Sequence, residues 1–123
     1  MKVEGLTILI LEDEPIIGLV LEGRLKDWGA FPILVHTIEA ALAIVEREKV
    51  DVAILDVNLH GAKSYAVARA LKEKGAPFLF ATGYGDALHP AEFKDVITLT
   101  KPYMVSELET ALEAAVPAPP EPV

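Results

Sequence analysis

Short, almost wholly apolar runs recur along the chain, and segments long enough for a helix separate them. The runs cover residues 6–11, 31–35, 52–56 and 78–81, and a fifth strand is predicted at 96–100, where apolar residues alternate with Thr as in a half-covered strand. Apolar residues at successive positions are typical of strands that are buried on both faces, as in parallel sheets covered by helices. The alternation predicts an α/β protein with a doubly wound, five-stranded parallel sheet, right-handed crossovers and helices on both faces.

The segments between the runs carry start and stop signals for helices. Pro15 can begin the first helix, because its missing N–H lies where a helix offers no acceptor, and Gly29 ends it. Thr37 can cap the second helix. Ser106 with Glu109 makes a capping box, which predicts the start of the last helix.

Further residues refine this architecture. A third helix is predicted from Ser64 to Lys74, whereas Asp86 to Lys94 is only weakly helical because Pro90 interrupts it. Pro32 cannot donate to a sheet ladder, which favours an edge position for the second strand. The apolar side chains expected to face the sheet are Ile17, Val20, Leu21, Leu25 and Trp28, then Ile38, Ala41, Leu42 and Val45, then Val67, Ala70 and Leu71, and finally Leu108, Ala111, Leu112 and Ala115.

Length and composition limit the function classes. A chain of 123 residues suits one domain, expected over residues 1–116, followed by a Pro-rich extended tail at 117–123. A net charge of −8 with scattered basic residues argues against direct binding to nucleic acid. No apolar stretch is long enough for a membrane span, and the chain has no Cys for disulfides or thiol chemistry. We therefore expect a cytoplasmic protein without membrane insertion.

Polar side chains stand where four of the predicted strands end. Asp56 closes the run at 52–56; taken alone, it would more often be an ordinary loop-capping residue. Other strand ends supply Glu12 with Asp13, Thr82 and Lys101. Ligands of open α/β sheets bind in the crevice outside the carboxyl ends of the strands, so these side chains are expected to converge there.

The converging residue types favour metal-assisted phosphoryl chemistry. Three carboxylates in one crevice repel one another, and a hard cation such as Mg²⁺ relieves the repulsion. Asp13 and Asp56 are expected to be direct oxygen ligands, with Glu12 acting through water. The cation would withdraw charge from a phosphoryl group and allow a carboxylate to attack it. Lys101 would pair with Asp56 and then with a phosphoryl oxygen, and Thr82 would donate its hydroxyl to another.

In this order and at these strand ends, Glu12-Asp13, Asp56, Thr82 and Lys101-Pro102 resemble the motif residues of response-regulator receiver domains. The resemblance covers residues 6–116. It implies a flavodoxin-like fold with strand order 2-1-3-4-5. It also implies that Asp56 accepts a phosphoryl group from a phosphohistidine of a sensor histidine kinase or a histidine phosphotransfer protein.

The same resemblance implies the details of the site. The Mg²⁺ ligands would be Asp13, Asp56 and the backbone carbonyl of Asn58, and the peptide bond before Pro102 would be cis. The chain departs from the common pattern at Glu12, where Asp is commoner in the family.

A second departure concerns the switch. Thr98 stands three residues before the Lys, where most receivers carry Tyr or Phe, so a buried aromatic ring cannot rotate there to report phosphorylation. Residues 77–85, Pro-Phe-Leu-Phe-Ala-Thr-Gly-Tyr-Gly, resemble the Phe-Ala-Thr-Gly motif of the "FAT GUY" receivers of α-proteobacteria, which often occur as single-domain proteins. We therefore predict that phosphorylation reorganises residues 83–94, with Gly83 and Tyr84 as switch candidates.

The function expected from these patterns is a two-component signalling switch that changes its contacts with a downstream protein partner, and not a turnover enzyme. Met1 favours a stand-alone receiver or phosphorelay member, while the Pro-rich tail permits a receiver cut from a hybrid kinase or multidomain regulator. A pseudo-receiver that binds without phosphotransfer is another alternative. A haloacid-dehalogenase-type phosphatase is disfavoured, because Asn58 occupies the place of its second acid.

Overall fold

The computed structural model describes residues 3–83 and 89–116. It contains a parallel sheet of five strands and a separate two-stranded hairpin. The sheet strands are β1 (Thr7–Leu11), β2 (Phe31–Val35), β3 (Val52–Asp56), β6 (Phe78–Thr82) and β7 (Thr98–Thr100), and the hairpin strands are β4 (Asn58–Leu59) and β5 (Ala62–Lys63). The spatial order β2-β1-β3-β6-β7 confirms the flavodoxin-like 2-1-3-4-5 arrangement and the edge position predicted from Pro32.

Helices cover both faces of the sheet. They are α1 (Pro15–Asp27), α2 (Ile38–Arg47), α3 (Tyr65–Glu73) and α4 (Val105–Ala115), with a single 3₁₀ turn at Ala91–Phe93. Of the weakly helical segment predicted from Asp86 to Lys94, the described part shows only this short turn, and residues 86–88 lie outside the described part of the chain. None of the helices within the described ranges is both long and apolar enough to cross a membrane.

Alternate residues of the central strands fill two separate cores. Leu9 and Leu55 pack with Phe80 beneath α2 and α3, whereas Ile10 and Ile54 pack beneath α1 and α4. All of these side chains are fully or almost fully buried. Each contributes about 1.5–3 kcal/mol by removing apolar surface from water, so the strands that carry the polar ends are held rigidly.

Helix α1 corrects the prediction about its inward face. Ile17 and Val20 were expected to pack on the sheet, yet they are 41% and 65% exposed. Gly18, Leu21 and Leu25 are buried instead. A Cβ at Gly18 would lie 2.9 Å from the Leu34 side chain, so glycine allows the helix to approach β2 closely. That approach turns Ile17 and Val20 outward.

The predicted helix caps had different outcomes. Thr37 caps α2 as expected, because its hydroxyl accepts a hydrogen bond from the Ala40 N–H at 3.1 Å. The capping box assigned to Ser106 and Glu109 was wrong. Helix α4 begins one residue before Ser106, and the Glu107 carboxylate accepts from the Met104 N–H at 2.9 Å. In a capping box, the carboxylate at N3 accepts from the N–H of the N-cap residue three positions earlier. The prediction placed the N-cap at Ser106, two residues after its actual position at Met104.

Candidate functional site

The polar strand ends meet at one edge of the sheet. Glu12 and Asp13 directly follow β1, Asp56 is the last residue of β3, and Thr82 is the last residue of β6. Lys101 follows β7, and its backbone N–H donates to the Thr82 carbonyl at 2.7 Å. Parallel strands place these ends side by side, because β3 pairs with both β1 and β6. The convergence expected from the sequence is therefore present.

Three carboxylates form a compact acidic cluster. One oxygen from each of Glu12, Asp13 and Asp56 lies within 4.8 Å of the other two. Glu12 and Asp56 are buried and Asp13 is half-buried. Hard oxygen donors at this spacing suit a small divalent cation such as Mg²⁺, which prefers carboxylates and retains several waters. The cluster is consistent with the Mg²⁺ site of receivers.

Lys101 neutralises part of this negative charge. Its Nζ lies 2.6 Å from Glu12 Oε1 and 3.3 Å from Asp56 Oδ2. The sequence predicted a pairing with Asp56, but the shorter contact is with Glu12. The longer Glu side chain reaches the ammonium group from the neighbouring strand end, so the ammonium is shared between the two carboxylates.

Electrostatics at Asp56 favour its protonated form in the absence of a cation. Burial, followed by the hydrogen bond with Glu12, raises the pKa of Asp56 from 3.8 to about 7, although the positive charge of Lys101 opposes this rise. Burial acts to lower the pKa of Lys101, but the hydrogen bond that Lys101 donates to Glu12 and the charge of Asp56 outweigh it and raise that pKa. Lys101 therefore stays charged, while Asp56 gains a proton more readily than an ordinary Asp does. A single ammonium group supplies too little positive charge for three carboxylates.

Backbone hydrogen bonds fix Glu12 against β2. The Glu12 N–H donates to the Val35 carbonyl at 3.1 Å, and His36 Nδ1 lies 2.8 Å from the Glu12 carbonyl oxygen, to which it donates. The Glu14 N–H donates to Glu12 Oε2 at 3.2 Å. Sequence reasoning missed His36, because its partner is a backbone atom that no motif identifies.

The hairpin formed by β4 and β5 brings a second histidine to the site. Asn58, two residues beyond Asp56, is exposed and pairs with Lys63. His60, at the hairpin turn with φ of 48°, has Nε2 3.4 Å from Asp13 Oδ2. The His60 side chain itself is exposed. Within the described ranges, no histidine joins the three-carboxylate cluster.

Several predicted site residues lie at the margin of the cluster. The Lys101–Pro102 peptide is cis, and Gly83 lines a surface groove together with Lys101 and Pro102. Thr98 lies in β7, where its Oγ1 is 2.9 Å from His89 Nε2. Tyr84, the proposed reporter, lies outside the described residues.

That groove is apolar and opens beside the acidic cluster. Its volume is about 630 Å³, and we call it the α1 groove. The side chains that form its walls are Ile16, Ile17, Val20, Tyr103, Val105 and Leu108. Ile16 and Val20 are 77% and 65% exposed. A cluster of exposed large apolar side chains beside a polar site is typical of a surface that contacts another protein.

Comparison with known proteins places residues 8–113 within the family model described as response regulator receiver domain. The solution structure of SdrG from Sphingomonas melonis Fr1 is 43% identical, with a TM-score of 0.80 over 94% of this chain and 98% of that one. A BeF3-activated conformation of SdrG is 44% identical, with a TM-score of 0.75 over 88% of this chain and 93% of that one.

A more distant structure contains a metal. The receiver domain of sensor histidine kinase PA1611 from Pseudomonas aeruginosa, with a magnesium ion coordinated in its active-site cleft, is 25% identical with a TM-score of 0.78 over 90% of this chain and 97% of that one. Among curated proteins, a probable transcriptional regulator ycf27 from Guillardia theta is 31% identical over 87% of this chain and 44% of its own length. The chain spans about half the length of the curated relatives it matches.

Proposed function

Since this chain belongs to the response regulator receiver domain family, we propose that it is a phosphoryl-accepting switch of two-component signalling and that Asp56 is the acceptor. An Asp56 oxygen would attack the phosphorus of a phosphohistidine, forming a new P–O bond as the P–N bond breaks and the imidazole leaves. The observation that carries the proposal is the cluster of Glu12 and Asp56, both buried, with the half-buried Asp13, and Lys101 at its edge.

Mg²⁺ is the proposed cofactor, held by Asp13, Asp56 and the backbone carbonyl of Asn58, with Glu12 acting through water. When bound, it supplies positive charge that stabilises the transferring phosphoryl group. The donor set fits, because all three side chains offer hard oxygen ligands within 4.8 Å of one another. The raised pKa of Asp56, which follows mainly from burial, supports a site that is short of positive charge.

Lys101 and Thr82 would bind the phosphoryl oxygens. Lys101 Nζ is already 3.3 Å from Asp56 Oδ2, so it would exchange this contact for a phosphoryl oxygen once Asp56 is modified. Thr82 is buried at the end of the adjacent strand, where its hydroxyl would donate to a second oxygen. Both residues hold a hydrogen-bond donor at a fixed position, and Lys101 adds a positive charge; such positioned groups are the main contribution a protein makes to phosphoryl transfer.

The proposed phosphodonor is a sensor histidine kinase or a histidine phosphotransfer protein. The α1 groove would receive it, because this surface is apolar and adjoins Lys101. We further propose that the chain works as a "FAT GUY" type receiver, through partner contact and not as a turnover enzyme. The 43% identity to SdrG over nearly its whole length supports this subgroup.

Phosphorylation is proposed to reorganise residues 83–94. The described part of this segment has little regular structure, a single 3₁₀ turn after Pro90, and such elements require little free energy to rearrange. Unchanged amide exchange across this segment after beryllofluoride treatment would contradict the proposal.

Intact mass after treatment with acetyl phosphate and Mg²⁺ tests the acceptor. We expect the native protein and Asp27→Asn, an exposed carboxylate on α1, to gain one phosphoryl group, and Asp56→Asn to gain none. Omission of Mg²⁺ is expected to prevent the gain. Phosphate on Asp56→Asn would place the nucleophile elsewhere, and no phosphate on the native protein would favour a pseudo-receiver.

A further inference from the structure

A histidine connects helix α3 to strand β7 close to the candidate site. Tyr65 Oη lies 2.9 Å from His89 Nδ1, and His89 Nε2 lies 2.9 Å from Thr98 Oγ1. The Thr98 hydroxyl donates a longer bond of 3.3 Å to the Val96 carbonyl. With that proton committed, a neutral imidazole is protonated at Nε2, so Tyr65 donates to His89 and His89 donates to Thr98. We call Tyr65, His89 and Thr98 the His89 bridge.

Aromatic packing reinforces the bridge. The imidazole ring of His89 lies 4.5 Å from the ring of Phe80, between centroids. Tyr65 meets Phe80 edge-to-face at 5.7 Å and stacks on Phe93 at 5.8 Å. Phe80 and Phe93 are both buried. Offset and edge-to-face ring contacts add to the energy of burial, so His89 is held by its ring as well as by its two nitrogens.

The bridge adjoins the site on two strands. Phe80 lies directly opposite Thr98 in the register of β6 and β7, and Thr82 lies opposite Thr100. Residues two apart on a strand share a face, so Thr82 lies on the side of β6 that carries Phe80. His89 follows Thr82 by seven positions, and Thr98 precedes Lys101 by three. Movement of Thr82 or Lys101, the two residues proposed to bind phosphoryl oxygens, would therefore displace a residue close to the bridge.

We propose that the His89 bridge acts as a latch, a set of contacts that stabilises the unphosphorylated conformation and breaks on phosphorylation. This inference rests on the proposed function. Thr98 has no ring to rotate, and the imidazole of His89 supplies an aromatic ring beside it. The bridge joins His89 to α3 through Tyr65 and to β7 through Thr98. When Thr82 is drawn toward a phosphoryl group on Asp56, His89 is displaced and the two hydrogen bonds of the bridge break.

The test uses Thr98→Val and Tyr65→Phe, which remove one hydrogen bond each and retain size and packing. Without beryllofluoride, each is expected to raise amide exchange at residues 89–98. In the presence of Mg²⁺, each is expected to bind beryllofluoride more tightly by roughly two- to tenfold, the factor that one net hydrogen bond contributes to an equilibrium. A substitution that only damaged the fold would weaken beryllofluoride binding, so tighter binding identifies a latch.

The control is Thr100→Val, an exposed threonine in the same strand. It should leave both the exchange rates and beryllofluoride affinity unchanged. Native affinity and native exchange in both Thr98→Val and Tyr65→Phe would overturn the latch. If those variants keep native affinity and exchange while intact mass shows full phosphorylation of Asp56 in them, the latch alone is wrong; if the native protein takes up no phosphoryl group, the proposed function is wrong as well.

Discussion

The two flanks of the acidic cluster are built in opposite ways. On one flank, the α1 groove leaves Ile16 and Val20 largely exposed. On the other, Phe80 and Phe93 are buried, and the His89 bridge joins α3 to β7 by hydrogen bonds. The open flank is suited to binding another molecule, whereas the closed flank is suited to holding one conformation. The proposed recognition surface and the proposed latch therefore lie on opposite sides of the candidate site.

The difference begins in the sequences of the helices. Helix α1 reads Pro-Ile-Ile-Gly-Leu-Val-Leu in its first two turns and so has apolar residues on every side. Helix α3 reads Tyr-Ala-Val-Ala-Arg-Ala-Leu-Lys-Glu and separates its buried side chains from its charged ones. Only one face of a helix can pack on a sheet, so the surplus apolar residues of α1 remain in water.

Truncation of one large side chain on each flank tests the contrast most strongly. Phe80→Ala on the closed flank should lower the free energy of unfolding by about 3–5 kcal/mol, because it leaves a cavity among packed rings. Ile16→Ala on the open flank should change it by about 0.5 kcal/mol or less. Urea unfolding of both variants measures the difference. Equal losses would show that the α1 groove is as well packed as the aromatic side.

The acidic cluster between the two flanks can be tested by the pH dependence of the free energy of unfolding, because Asp56 lies in it. Its folded pKa of about 7 exceeds the ordinary 3.8, so the folded state holds this proton more tightly than the unfolded chain does. The resulting stabilisation is complete below pH 3.8 and is lost as pH rises through about 7. It amounts to at most roughly 4 kcal/mol.

Urea unfolding of the metal-free protein and of Asp56→Asn across this pH range provides the measurement. The native protein should lose stability relative to the variant as pH rises, and Mg²⁺ should restore it above the pKa by pairing with the carboxylate. A constant difference between the two proteins would show that Asp56 is not desolvated by its surroundings.

A charge placed on the open flank should separate recognition from chemistry. We expect Val20→Asp to slow phosphotransfer from a phosphorylated histidine phosphotransfer protein by tenfold or more, a loss of about 1.4 kcal/mol or more, because a buried, unpaired carboxylate opposes docking. Uptake from acetyl phosphate should not change. Glu22→Asp, at a half-buried position on the same helix, serves as the control, because it keeps the charge that is already there. Equal slowing with both donors would place Val20 in the site and not on a docking surface.

The smallest effect is expected at Ser64, which precedes α3 on the closed flank. Its side chain is fully buried, and its Oγ has no hydrogen-bond partner among the described residues. Ser64→Ala should therefore change the free energy of unfolding by less than about 1 kcal/mol, and in the stabilising direction, because an unsatisfied buried hydroxyl is removed. A loss larger than that would reveal a partner for the hydroxyl, and thermal unfolding is sufficient to detect it.

The sequence predicted the residues whose positions follow from strand ends. Glu12, Asp13, Asp56 and Thr82 each lie within two residues of the end of an apolar run, and parallel pairing brings such ends together whatever the rest of the chain does. The partner that Lys101 prefers was harder to predict. Whether its ammonium lies nearer Glu12 or Asp56 depends on side-chain reach at the level of one ångström.

Contacts that join distant segments by single hydrogen bonds were not predictable. The contact between His89 and Tyr65 spans 24 positions, and nothing in the local pattern connects the two residues. The outward turn of Ile17 and Val20 was likewise hidden, since it depends on the closeness of Gly18 to Leu34. In both cases the deciding interaction is tertiary, and periodicity along one segment contains no information about it.

The outermost strand of the sheet has one further consequence. The Phe31 N–H donates inward to the Leu6 carbonyl at 2.8 Å, and backbone donors in a parallel strand alternate sides, so the position at Pro32 faces outward. The free border of the sheet thus lacks a donor at the second residue of β2, and the opposite border consists of only three residues. Both borders are poor templates for an additional strand, which protects the molecule from strand-by-strand aggregation at high concentration.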